Sequence, residues 1–67
     1  MMTVKDFLDV FKNPNVTVEI RDSADELIAK LYANGKDILN TEISSREVDE
    51  IKTENVSLVV VTVKDEP

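Results

Sequence analysis

The sequence predicts a small α+β domain: an antiparallel sheet of three to four strands with an N-terminal helix packed on one face. Three patterns support this fold class: a helical stripe of apolar residues near the N-terminus, two stretches that alternate apolar and polar residues, and a β-branched stretch near the C-terminus. The chain has 67 residues, of which 42% are hydrophobic and 33% charged. We therefore expect a single domain over residues 1–67 with one small core. The predicted order is helix, strand, strand, short helix, strand, strand.

The first predicted element is a helix over about residues 4–12. Apolar residues recur there at the i, i+3, i+4 and i+7 spacing of one helix face: Val4, Phe7, Leu8 and Phe11. Thr3 is a suitable N-cap, and Asp6 lies in the first turn, where a carboxylate favours the positive end of the helix. Asn13-Pro14 should end the helix, because a residue before proline is disfavoured in the α conformation.

The two alternating stretches that follow predict a β-hairpin with residues 22–25 as its loop. In this register Arg21 would face Glu26, which is a favourable cross-strand charge pair. The inward residues would also face one another: Ile20 with Leu27, Val18 with Ala29, and Val16 with Leu31.

The opposite face of this hairpin carries two apolar side chains, Ile28 and Tyr32, where solvent is expected. Isolated apolar side chains are normal on a protein surface. Alternatively, the two residues belong to a contact patch. Ile28 and Tyr32 are thus the candidate protein-interaction residues.

The sequence between the hairpin and the last strand is ambiguous. Asn34-Gly35 predicts a turn, and residues 36–40 predict a short helical piece that places Ile38 and Leu39 over the core. Ser44 to Glu47 has the spacing of a helix capping box. A strand in this region would instead need a bulge, because Val48 and Ile51 otherwise point to opposite faces. Pattern alone leaves helix and strand open for residues 44–54.

The last strand, Val56 to Val63, is apolar on both faces, which is typical of a strand that is central or partly covered by a partner. Since the predicted helices can cover only one face of the sheet, the second face is a candidate surface for a partner or for a two-fold dimer. The predicted core consists of Phe7, Leu8, Phe11, Val18, Ile20, Leu27, Leu31, Ile38, Leu39, Ile51, Val59 and Val61.

Several segments carry a resemblance to a known group: the opening Thr-Val-Lys-Asp-Phe-Leu helix, the Val-x-Val-x-Ile strand, a Lys-Asp-Ile-Leu piece, Arg46-Glu47-Val48-x-x-Ile51, and the closing Leu-Val-Val-Val strand. In this order they resemble short uncharacterised acidic proteins of phages and integrative elements of Gram-positive (Firmicute) bacteria. The resemblance implies that residues 46–53 form a strand paired with the last one, although Asp49-Glu50 departs from a strand pattern. It implies no active site.

Composition argues against most kinds of chemistry. The chain has no cysteine and no histidine, which removes thiolate nucleophiles, disulfides, imidazole bases and the usual zinc ligands. Its single glycine cannot form a glycine-rich phosphate loop. The formal charge of −6 and the scattered basic residues argue against direct nucleic-acid binding. We therefore expect no enzyme, no cofactor, no metal site and no small-molecule substrate. With no signal peptide and no apolar membrane span in the sequence, we expect a cytoplasmic protein without membrane contact.

Three hypotheses about function remain. The first is a non-enzymatic protein-interaction or assembly module of phage or mobile-element type, which could self-associate through its sheet. The second is an acidic inhibitor that mimics DNA and occupies a host nucleic-acid-binding protein. The third is a domain with no property visible beyond folding. The candidate acidic surface for the second hypothesis comprises Glu42, Glu47, Asp49, Glu50 and Glu54.

Overall fold

The computed structural model describes residues 1–11, 13–32 and 40–65 and confirms the predicted α+β fold class and element order. The elements are α1 (Val4–Val10), β1 (Thr17–Arg21), β2 (Leu27–Leu31), α2 (Thr41–Ser44), β3 (Val48–Asn55) and β4 (Leu58–Val63).

Helix α1 begins at the predicted cap. The hydroxyl of Thr3 accepts a hydrogen bond from the backbone N–H of Asp6 at 3.2 Å, and the Asp6 carboxylate accepts one from the Thr3 N–H at 3.0 Å. This reciprocal pair is a capping box, and its backbone hydrogen bond lowers the pKa of Asp6. The helix ends at Val10 rather than residue 12, because Phe11 adopts an extended conformation.

The four strands form one sheet in the order β2-β1-β4-β3. The pairs β1–β2 and β3–β4 are antiparallel, whereas β1 and β4 are parallel. The expectation of a wholly antiparallel sheet is therefore wrong, and the sheet is mixed. The most apolar strand, β4, is central, with β1 on one side and β3 on the other. It runs parallel to β1. It begins at Leu58, because Val56 lies in an exposed turn.

The core lies between α1 and one face of the sheet, which we call the inner face. Its buried residues are Val4, Phe7, Leu8, Val18, Ile20, Leu31, Val59, Val61 and Val63. Seven predicted core residues are confirmed: Phe7, Leu8, Val18, Ile20, Leu31, Val59 and Val61. Phe11 is half-buried and stacks on Phe7 with ring centroids 5.1 Å apart. The predicted core residues Ile38 and Leu39 lie outside the described residues.

The hairpin register differs from the prediction by two residues. Val18 pairs with Leu31 and Ile20 with Ala29, so the same faces meet but the loop is longer. The Asp22 carboxylate explains the longer loop, because it accepts hydrogen bonds from the backbone N–H groups of Ala24 and Glu26, each at 2.9 Å.

A β-bulge beside this loop changes two predicted positions. The register shifts between Ile20 and Arg21, so that Arg21 pairs with Leu27 and the alternation of β2 is broken. Leu27, predicted to be in the core, is 54% exposed. Ile28, predicted on the opposite face, is half-buried and packs against the core. The sequence pattern alone cannot show this exchange because it contains no sign of the bulge.

Strand β3 confirms a strand in this region that pairs with the last one, but it covers Val48–Asn55 and not residues 46–53. The capping box suggested at Ser44 does not form. The short helix α2 precedes this strand and begins at Thr41, with Asn40 as its N-cap, whereas residues 36–39 of the predicted short helix lie outside the described residues. The register shifts between Val48 and Glu50, and this bulge brings Val48 and Ile51 opposite the inward-facing Val63 and Val61. Ile51 is nevertheless 43% exposed rather than core, because β3 is an edge strand.

Candidate interaction surface

The outer face of the sheet is the most distinctive surface of the described residues. Both helices contribute their buried or half-buried residues to the inner side, where Phe7 of α1 and Ile43 of α2 join the core. Cross-strand pairing places a row of side chains across the outer face: Lys30, Glu19, Val60 and Lys52. A second row comprises Leu27, Arg21, Thr62 and Glu50. The outer face is thus mostly charged, which differs from the apolar strip expected from the sequence.

Glu19 lies at the centre of this charged surface and is only 7% exposed. Its Oε1 accepts hydrogen bonds from Nε and Nη2 of Arg21 at 3.0 and 2.5 Å. The ammonium group of Lys30 lies 3.7 Å from the other carboxylate oxygen. The hydrogen bond from Arg21 lowers the pKa of Glu19 and raises that of Arg21, while burial opposes both shifts. Glu19 is therefore held ionised by two cations and is fixed in position.

A shallow hollow of about 300 Å³ lies beside this cluster, on the side of β3 and β4. Its lining contains two cations, three carboxylates and two smaller side chains: Arg21, Lys52, Asp25, Glu50, Glu54, Val60 and Thr62. Arg21 is also paired with Asp25, with Nη1 and Oδ1 3.3 Å apart. The hollow therefore offers charged groups of both signs to a ligand and shows no arrangement of a nucleophile beside a base.

Apolar groups flank the charged cluster along strand β2. Tyr32 is 64% exposed, and the ammonium group of Lys30 lies 5.6 Å from its ring centroid. Leu27 projects from the same face at the other end of the strand, opposite Arg21. Tyr32 therefore lies where the sequence predicted an exposed interaction residue, whereas Leu27 takes the surface position that had been assigned to Ile28.

The predicted acidic surface is divided among several elements. Glu42 lies in the first turn of α2, Asp49 is the bulge residue of β3, and Glu50 and Glu54 line the hollow on the outer face. Two of the acids have basic neighbours: Glu47 pairs with Lys64, and a Glu54 oxygen lies 3.7 Å from the Lys52 ammonium. The ion pair with Glu47 raises the pKa of Lys64. The five carboxylates thus lie on α2, on β3 and directly before β3, and basic side chains accompany two of them.

Glu19, Arg21 and Leu27 are not among the interaction residues predicted from the sequence. One signal was present, since Glu19 and Arg21 are two residues apart on a strand and therefore share a face. The burial of Glu19 could not be predicted from this spacing, because strand pairing decides which residues flank it, here Lys30 and Val60.

Other kinds of site find no support in the described residues. Within residues 1–11, 13–32 and 40–65, no three carboxylates are grouped so that they could hold a metal ion. None of the helices described is long and apolar enough to cross a membrane. Comparisons of the chain with protein-family models, with curated proteins and with solved structures found no match. The geometry of the surface itself therefore carries the functional argument.

Proposed function

We propose that this chain is a non-enzymatic protein-interaction or assembly module that binds its partner with the outer face of its sheet. The observation that carries the proposal is the combination of a fixed central charge cluster with exposed apolar side chains at both ends of β2. Protein interfaces typically combine such aromatic or aliphatic anchors with polar groups that set the orientation. We further propose, from the resemblance to phage and mobile-element proteins, that the module acts in the bacterial host cytoplasm.

Preorganisation favours a binding role for this face. Glu19, Arg21 and Lys30 are already held by one another, so ordering them on binding costs little conformational entropy. Leu27 and Tyr32 would supply the apolar area that a partner buries. A suitable partner presents apolar side chains flanked by charged groups of both signs.

The proposal is tested by affinity capture with a double variant, Leu27→Ser with Tyr32→Ser. We expect this variant to lose most of the partner that the wild-type protein retains from lysate of the source organism. The matched control is Val10→Ser with Val56→Ser, which removes two exposed apolar side chains outside the outer face. Equal capture by both double variants would contradict the proposal.

Salt dependence separates this function from acidic mimicry of DNA. A complex anchored by Leu27 and Tyr32 should persist in high salt, because apolar contacts are not screened. A complex made by the carboxylates of Glu42 and Asp49 with a basic groove should dissociate as salt is raised. Capture that disappears at high salt and is unaffected by the double variant would support the inhibitor instead.

A further inference from the structure

The edge of β3 is the second feature of the fold that can receive a partner. Between Asp49 and Asn55 this strand pairs with β4 on one side, and no other described strand pairs with it. The start of the edge is already occupied, since Thr3 forms a bridge with Glu47 and the Met2 carbonyl accepts the Val48 N–H at 2.8 Å. Within the part of the chain that the structure describes, the stretch of this edge without a pairing strand therefore begins at Asp49. Unpaired backbone groups on such an edge can accept a further strand.

The charges along this edge alternate in sign. Glu50, Lys52 and Glu54 follow one another at every second position and line the same outer-face hollow. Edges that carry one sign of charge repel their own copies, whereas an alternating pattern can be complementary to itself. Lys52 forms only a loose pair with Glu54 in the monomer, with 3.7 Å between the charged atoms, and both side chains are largely exposed. Lys52 is therefore available for another carboxylate.

We propose that β3 pairs antiparallel with β3 of a second copy, with Ile51 of each copy at the two-fold axis. This self-pairing goes beyond the function proposed above, because it uses the edge of the sheet and not its outer face. In this register Glu50 of each copy lies opposite Lys52 of the other, which gives two opposite-charge pairs on the outer face. On the inner face the two Ile51 side chains, exposed in the monomer, meet each other.

The structure favours this register over its neighbours. Residues 50–53 pair with β4 in uninterrupted register between two bulges, one at Asp49 and one at Glu54. A pairing centred on Lys52 would set two lysines opposite each other and Glu50 opposite Glu54. A pairing centred on Thr53 would run through the bulge at Glu54. Only the pairing centred on Ile51 combines regular backbone with opposite charges.

The resulting dimer would extend the four strands into one eight-stranded sheet. A two-fold axis perpendicular to the sheet leaves the helices of both copies on the same side. Both outer faces then form one continuous surface on the other side. The paired stretch is short, so we expect a weak dimer that is populated at high protein concentration.

Sedimentation equilibrium at millimolar protein concentration tests the proposal. Wild type should show a monomer–dimer equilibrium. Glu50→Lys and Lys52→Glu should each raise the dissociation constant of the dimer about tenfold or more. Each substitution turns both opposite-charge pairs of the dimer into like-charge pairs. An equimolar mixture of the two variants should form a heterodimer. The Glu50→Lys variant has lysine at positions 50 and 52, and the Lys52→Glu variant has glutamate at both, so opposite charges again face each other. The double exchange, Glu50→Lys with Lys52→Glu, should restore the homodimer.

Glu54→Lys is the matched control, because it makes the same change in net charge on the same strand outside the paired stretch. It should leave dimerisation nearly unchanged, and thermal melting of each variant verifies that the monomer is folded. A monomeric wild type, or equal effects of Glu50→Lys and Glu54→Lys, would overturn the proposal. A monomeric protein that still captures its partner through Leu27 and Tyr32 would refute self-pairing alone. A dimer without such capture would refute the outer-face function alone.

Discussion

Glu19 and Arg21 lie two residues apart on β1 and are joined on the outer face, where both Nε and Nη2 of Arg21 donate to the same carboxylate oxygen of Glu19. Lys30, from the neighbouring strand, approaches the other oxygen. In the described part of the chain, every buried side-chain nitrogen or oxygen atom of a residue that is not itself exposed has a hydrogen-bond partner. A carboxylate with little solvent contact is thus compatible with the fold because its partners are already in place.

Acid should weaken the fold partly through Glu19. Its pKa is lower in the folded state than its ordinary value of 4.5, so the unfolded chain binds the proton first as pH falls. The stability from this group is complete above the unfolded-state pKa and is lost as pH falls through the folded-state pKa. We therefore expect the free energy of unfolding, measured with urea, to fall less between pH 7 and about pH 3 for Glu19→Gln than for wild type. Identical losses would contradict the role given to Glu19.

Phe7→Ala should destabilise the protein by about 3–5 kcal/mol, comparable to the total stability of so small a domain. Phe7 lies on the buried side of α1, and its ring stacks on the ring of Phe11. Val10→Ala, on the exposed side of the same helix, should change the free energy of unfolding by less than about 0.5 kcal/mol. Equal melting temperatures for the two variants would show that α1 does not dock through Phe7.

The bulge in β2 predicts that neighbouring positions differ in stability. Ile28→Ala should lower the free energy of unfolding by about 1–3 kcal/mol, because Ile28 packs against the core. Leu27→Ala should lower it by less than about 0.5 kcal/mol. Chemical denaturation of both variants measures the difference, and a larger effect at Leu27 would restore the register without a bulge.

The capping box predicts a specific effect at the N-terminus of α1. Thr3→Ala should destabilise the protein by about 1 kcal/mol, because the N–H of Asp6 loses its acceptor. Thr3→Ser keeps a hydroxyl at this position and should retain most of the stability. Thermal melting of both variants provides the comparison, and an equal loss for serine and alanine would mean that the hydroxyl is not the acceptor.

Local patterns predicted the parts of the fold that depend on neighbouring residues. The cap at Thr3, the helical stripe from Val4 to Phe11 and the alternation of β1 all express short-range chemistry. The two-sided apolar character of β4 predicted either a central position or cover by a partner, and the structure shows the central position. Each of these features is contained within about ten consecutive residues.

Features that depend on long-range pairing could not be predicted in the same way. The parallel pairing of β1 with β4 joins segments about forty residues apart, for which the sequence has no local signal. The bulges at Asp49 and beside Arg21 reverse the faces of single residues without changing the composition. Among the residues selected for interaction, Tyr32 is exposed because its alternation is regular, whereas Ile28 is not exposed because it lies at a bulge.

Site-specific photo-crosslinking in living cells of the source organism most directly tests whether the outer face binds a partner. A benzophenone amino acid is placed at Tyr32, on the outer face, and separately at Val10, which is 74% exposed on α1. Both positions are accessible, so they differ mainly in the face of the molecule that they report. We expect a discrete crosslinked product from position 32 and none from position 10. The same product from both positions, or a product from position 10 alone, would contradict the assignment of the outer face as the binding surface.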